Sequence, residues 1–127
     1  MSDFSVRYIV DDIDDAVDFY TRHLGFDVVM KPGPGFAMMR RGGLRLLVNT
    51  PAGGGGAGQR VSSGELPRPG GWNRFQVQLE DLDAVVAALR DEGVTFRGAL
   101  IEGRGGRQAL AEDPSGNLVE LFEAYPS

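Results

Sequence analysis

The sequence predicts an α+β chain made of two copies of one β-α-β-β-β unit. Three observations lead there. Apolar and polar residues alternate over several short runs, the pattern of strands with one buried face. Two longer stretches place apolar residues at helical spacing, each opening on an acidic residue and closing on glycine. The two stretches also match each other: VDDIDDAV at 10–17 lies over LEDLDAVV at 79–86, an offset of 69 residues. A repeat carries weight because each copy must bury the same face in the same way.

In the first copy, FSVRYIV at 4–10 is a strand with Phe4, Val6, Tyr8 and Val10 on one face and Ser5, Arg7 and Ile9 on the other. Asp11 or Asp12 caps the helix that follows, whose apolar positions are Ile13, Ala16, Val17, Tyr20 and Leu24. Gly25 ends it in the left-handed conformation. The carboxylates Asp11, Asp12, Asp14 and Asp15 crowd a helix start, where negative charge is favoured, and are read as cap and solvated face rather than a metal cluster. His23, near the helix end, suits the dipole there and is expected at the surface. Phe26–Met30 is a short apolar strand, KPGPG at 31–35 a breaker, and Phe36–Arg40 a third strand. A turn at Gly42-Gly43 leads to the fourth strand, Leu44–Asn49.

The second copy follows the same plan. Arg74–Leu79 has Phe75, Val77 and Leu79 on one face and Arg74, Gln76 and Gln78 on the other. Asp81 is expected to cap a helix with Leu82, Val85, Val86 and Leu89 on its apolar side, stopped by Gly93. Val94–Phe96 begins the next strand, and Arg107–Ala111 and Leu118–Phe122 are the last two, joined by the turn DPSGN at 113–117. Between the copies, residues 50–72 hold eight glycines and three prolines. GGGG at 53–56 is not a phosphate loop, since no Gly-Lys-Ser/Thr and no helix follow it. The segment reads as a flexible connector that could also serve as a lid. GRGGR at 103–107 reads as a mobile hairpin whose arginines could touch an anion. The chain is thus one domain, 1–127, with module one at 4–49, the connector at 50–72 and module two at 73–124.

Composition narrows the function classes. A net charge of −5 argues against a basic face for nucleic acid. No apolar run is long enough to span a membrane, and MSDFSVRY has no features of an export signal, so a cytoplasmic protein is expected. Absence of cysteine removes disulfides, thiolate metal sites and thiol nucleophiles, and a single histidine removes any His-rich site within one chain. Twelve arginines against one lysine suggest a GC-rich bacterial genome.

The tandem β-α-β-β-β plan, with DIDDAVDFYTRHLGF in the first helix and EDPSGNLVELFE at the close, resembles the vicinal oxygen chelate superfamily. That group includes glyoxalase I, bleomycin-resistance proteins, extradiol dioxygenases, fosfomycin-resistance enzymes and methylmalonyl-CoA epimerase. The resemblance implies that the two modules form a curled mixed sheet around a central cup. It also implies four metal-ligand positions in the enzymes, one on the first and one on the last strand of each module. Here these fall on Ser5, Leu47, Arg74 and Glu120, and the 69-residue offset independently maps Ser5 onto Arg74. Leucine donates nothing and a guanidinium repels a cation, so a catalytic divalent metal is not expected and no cofactor is assigned. Asn49 and Gln76 could join Glu120 only in a shifted site. Arg74 could instead pair with Glu120, either as a structural ion pair or in contact with a ligand.

Strand parity then nominates a ligand-binding wall: Arg7, Asn49, Arg74, Gln76, Glu120 and Phe122, joined from the third strands by Phe36 and Met38, with Arg107 or Gln108 opposite. Phe36, Met38 and Phe122 could equally fill core. Trp72, the only tryptophan, could stack on a flat ligand or pack against a partner subunit. The leading expectation is a bleomycin-resistance-like homodimer that binds a small aromatic molecule, an antibiotic or a metabolite, without a catalytic metal. The alternative is a glyoxalase-like lyase or isomerase, or a dioxygenase. It would be metal-dependent, or would use Glu120 as general base and Arg74 to stabilise an oxyanion. A carboxylate held in an ion pair is a weak base, which counts against the metal-free version. A regulatory module with an empty cup is a third reading, for which the sequence carries no positive sign. The net charge of −5 favours a cationic ligand at long range, whereas the arginines of the wall favour an anion.

Overall fold

A computed structural model of the chain describes residues 4–53 and 56–126. The chain divides into two compact units, Met1–Gly70 and Gly71–Ser127, so the connector belongs largely with the first. The first unit is a β-α-β-β-β copy and the second follows the same plan with one additional short strand, and the α+β repeat class expected from the sequence is the observed one.

The first unit runs β1 (Ser5–Ile9), α1 (Ile13–Leu24), β2 (Asp27–Gly33), β3 (Phe36–Arg41) and β4 (Leu44–Asn49). The sheet order is β1-β4-β3-β2, with β1 parallel to β4 and the other pairs antiparallel. Asp12, not Asp11, caps α1: its side-chain oxygen accepts from the Asp15 N–H at 2.9 Å. Gly25 closes the helix at φ 70°. Ile13, Ala16, Phe19, Tyr20 and Leu24 are buried. Phe19 takes the core place expected for Val17, and Phe19, Tyr20 and Phe26 pack edge-to-face at 5.0 and 5.6 Å. Beneath the helix, Tyr8, Val10, Ala37, Met39, Leu46 and Val48 complete the core.

One expectation fails here. KPGPG does not break the chain at Lys31, because β2 continues through Pro32 to Gly33. β2 is an edge strand, so the N–H that proline lacks is not missed, and the register slips twice, between Val28 and Met30 and between Met30 and Gly33.

The second unit runs β5 (Arg74–Gln78), α2 (Leu82–Asp91), β6 (Thr95–Phe96), β7 (Ile101–Glu102), β8 (Gly106–Glu112) and β9 (Leu118–Ala124). The order is β5-β9-β8-β6, with the short β7, not expected from sequence, also paired to β8. β5 is parallel to β9, as β1 is to β4. Leu82, Val86 and Leu89 of α2 are buried, as are Phe75, Val77, Ala109, Ala111, Val119 and Leu121 of the sheet.

The cap of α2 differs from the expectation. Asp81 lies at φ 55°, left-handed, and its side chain makes no capping bond. A capping side chain needs an extended backbone to reach the first turn. Glu123 from β9 replaces it, its Oε1 accepting from the Leu82 N–H at 3.1 Å. After the helix, Gly93 takes φ 87° and the Val94 N–H reaches back to the Leu89 carbonyl at 3.0 Å. The turn at 113–117 is built on buried Asp113, whose Oδ1 accepts from the N–H groups of Ser115 and Asn117, each at 2.9 Å. Among the described residues no helix is long and apolar enough to cross a membrane.

Candidate functional site

In each unit the helix covers one face of the sheet, and the other face carries the mixed side chains. In the first unit, register sets Arg7, Leu47, Met38 and Met30 in one row, with Ile9, Asn49, Phe36 and Gly33 in the next. A cavity of about 780 Å³ opens over this second row, a size ordinary for small-molecule sites. Arg7, Phe36 and Asn49 line it, together with Pro32, Gly33, Pro34, Gly35, Thr50, Gly53, Gly56 and Ala57. Met38 is half-buried in the neighbouring row and does not line it. Arg7 Nη1 donates to Asn49 Oδ1 at 2.6 Å, and Asn49 is only 1% exposed.

The second wall comes from the segment read as a flexible connector with a possible lid role. Thr50 N–H donates to the Gly35 carbonyl at 3.1 Å, and Gly53 N–H to the Thr50 carbonyl at 3.1 Å. A single 3₁₀ turn at Gly56–Gly58 follows, with the Ala52 N–H bonded to the Gly58 carbonyl. Gly58 is buried, and a Cβ there would run into the carbonyl oxygens of Thr50 and Gly53. Glycine at this point therefore serves close packing. Gly54 and Gly55, the middle of the GGGG run, lie outside the described residues. Sequence reasoning missed these wall residues because high glycine and proline content signals turns and linkers equally. The one available signal was that the segment abuts β4 directly.

In the second unit, Arg74, Gln76 and Gln78 share the open face with Glu120 and Phe122. Both oxygens of Glu120 are engaged: Arg74 Nε donates to Oε1 at 2.9 Å and Gln76 Nε2 to Oε2 at 2.7 Å. Arg74 Nη1 also reaches the Trp72 carbonyl at 3.3 Å. Trp72 is 66% exposed, and its ring carries the Arg97 guanidinium 4.7 Å from its centroid, a cation–π stack. Arg97 is in turn fixed by Glu112 Oε2 at 3.1 Å and by the carbonyls of Gly71 and Gly116 at 3.0 and 3.1 Å. No periodicity singled out Arg97, because it follows a two-residue strand. The Phe122 ring lies against the Gly105–Gly106 backbone of the β7–β8 hairpin.

Arg107 is the nominated residue that lands elsewhere. β8 pairs it with Glu123, which puts both on the helix-bearing face and gives the open face to Gln108. Its guanidinium holds Asp83 of α2 at 3.0 Å and Glu123 at 3.2 Å. These bonds, to Asp83 first and then Glu123, raise the Arg107 pKa. Glu123 is held below the usual carboxylate range, chiefly by the Leu82 N–H and next by Arg107.

The family model of the Glyoxalase/Bleomycin resistance protein/Dioxygenase superfamily matches residues 4–121, and the chain belongs to that superfamily. Among solved structures it is similar to a superfamily member from Sphaerobacter thermophilus DSM 20745, with 26% identity, 97% of each chain covered and a TM-score of 0.74. It shares its fold with TnmS3, an antibiotic binding protein from Streptomyces sp. CB03234, at 24% identity, 98% and 97% coverage and a TM-score of 0.71. The same holds for a lactoylglutathione lyase from Agrobacterium tumefaciens, at 21% identity, 96% and 92% coverage and a TM-score of 0.72. No curated protein sequence matches.

The residues at the four positions implied for a metal do not fit one. Ser5 Oγ accepts from Arg45 Nε at 3.0 Å, and Leu47 has no donor atom. Arg74 brings a cation to 2.9 Å from Glu120, where a metal would have to approach the carboxylate. Among the described residues no group of three His, Cys, Asp or Glu side chains is arranged to hold a metal ion.

Proposed function

We propose that this chain binds a small aromatic molecule, an antibiotic or a metabolite, without a catalytic metal, and acts as a homodimer. The observation that carries the reading is the state of Glu120, the one conventional ligand left of four. Its two oxygens are bonded to Arg74 and Gln76, so binding a metal would require breaking a charge-assisted bond and bringing two cations together. The cavity of about 780 Å³, with Phe36, Pro32 and Pro34 beside the polar pair Arg7 and Asn49, has the mixed lining that small organic ligands need. Trp72 offers an exposed ring for stacking, already backed by Arg97. TnmS3 is an antibiotic binding protein of the same fold, which makes such a role compatible with the architecture.

The test is metal content of the purified protein, followed by calorimetric titration with Mn²⁺, Ni²⁺, Zn²⁺ and Fe²⁺. We expect no stoichiometric metal and no binding heat. Metal bound by the unaltered protein but lost in Glu120→Ala would favour the lyase or dioxygenase reading instead. A panel of flat antibiotics titrated against the fluorescence of Trp72 then searches for the ligand.

A further inference from the structure

The charge state of the first-unit cavity narrows its ligand. Arg74, Arg97 and Arg107 each lie against a carboxylate, at 2.9, 3.1 and 3.0 Å. Arg7 does not. Among the described residues its guanidinium is bonded to the neutral amide oxygen of Asn49 alone, at 2.6 Å. Among the described residues no Asp or Glu lines the cavity it borders. An arginine has five N–H donors in a planar fork that matches a carboxylate, and here one nitrogen is committed to Asn49 while the others are left for a ligand or water. The Asn49 amide, 1% exposed, fixes where that fork lies. Around it, Phe36, Pro32, Pro34 and Ala57 supply an apolar wall, suited to a flat ring rather than to a sugar or a polyamine.

We propose that this cavity takes a small aromatic carboxylate, its anionic group held by Arg7 and its ring by Phe36 and the two prolines. The inference rests on the small-molecule reading above and adds the charge of the ligand. The chain as a whole carries −5, so the preference for an anion is local to Arg7. At physiological ionic strength, screening over about 8 Å leaves that local contact dominant.

Calorimetry with 2-naphthoate, its neutral amide and its cationic amidine, at physiological salt, tests the point. Naphthoate should bind at least about 10-fold more tightly than the amide, and the amidine most weakly. Arg7→Met should remove the preference for naphthoate over the amide, with circular dichroism to check the fold. Asn49→Asp should do the same by handing Arg7 an internal carboxylate. Amide or amidine binding as tightly as naphthoate overturns the inference and leaves the small-molecule reading standing. A naphthoate preference that survives both substitutions also overturns it, since the anchor is then another residue. If none of the three binds at millimolar concentration, the inference fails together with the small-molecule reading of this cavity.

Discussion

Glu123 lies on β9, 41 residues from the helix end it caps, and its carboxylate joins the Leu82 N–H and the Arg107 guanidinium. Both contacts favour the charged form, the backbone N–H more than the arginine, so its folded pKa is below the ordinary 4.5. A group lowered on folding contributes stability that is complete above its unfolded value and is lost as pH falls through the folded one. Glu123→Gln should therefore melt below the unaltered protein at neutral pH, with the gap closing in acid below 4.5. A gap independent of pH in thermal melts would count against this. Core residues obey a different rule. Leu121 is fully buried, and Leu121→Ala should cost about 2–5 kcal/mol in urea unfolding, through lost burial and the cavity left behind. The Leu121 position was legible from strand alternation. The Glu123 role was not, because capping is ordinarily sought within a few residues of the helix, and Asp81 occupied that place.

Two elements show how local chemistry and tertiary packing make different demands on glycine. Gly25 ends α1 at φ 70°, and a Cβ there would meet only Arg41 Nε, at 3.9 Å. Gly25→Ala should cost about 1–2 kcal/mol from backbone strain alone and leave the cavity untouched. Gly58 has no such strain but no room either, and Gly58→Ala must push the 3₁₀ turn away from Thr50 and Gly53. That substitution should cost about 1–3 kcal/mol and also weaken ligand binding in the first unit, because Gly53, Gly56 and Ala57 form part of the wall. Unfolding and binding measured on the two variants separate the effects: equal affinity in both would show that the turn does not shape the site. The first glycine was readable from the helix pattern. The second was hidden in a run whose composition suggested a linker.

For the whole molecule, the proposed dimer is checked by light scattering at micromolar concentration, where two chains are expected and a monomer would remove that part of the reading. The repeat, the strand faces and the two helices were legible in the sequence. Periodicity and caps are written within a dozen or so residues, and the 69-residue offset doubled the signal. Parity likewise nominated Arg7, Phe36 and Asn49, which border one cavity. Tertiary structure alone decided which charges meet: Arg107 turns to Asp83 and Glu123 on the helix face, while Arg7 is left with Asn49, 42 residues away. It also decided that Thr50 bonds back to Gly35 and that Thr50, Gly53, Gly56 and Ala57 form a wall of the cavity. The reason is physical. Alternation and helical spacing are properties of neighbouring residues, whereas ion-pair partners and cavity walls depend on how distant strands align, where a shift of one residue sends a side chain to the opposite face.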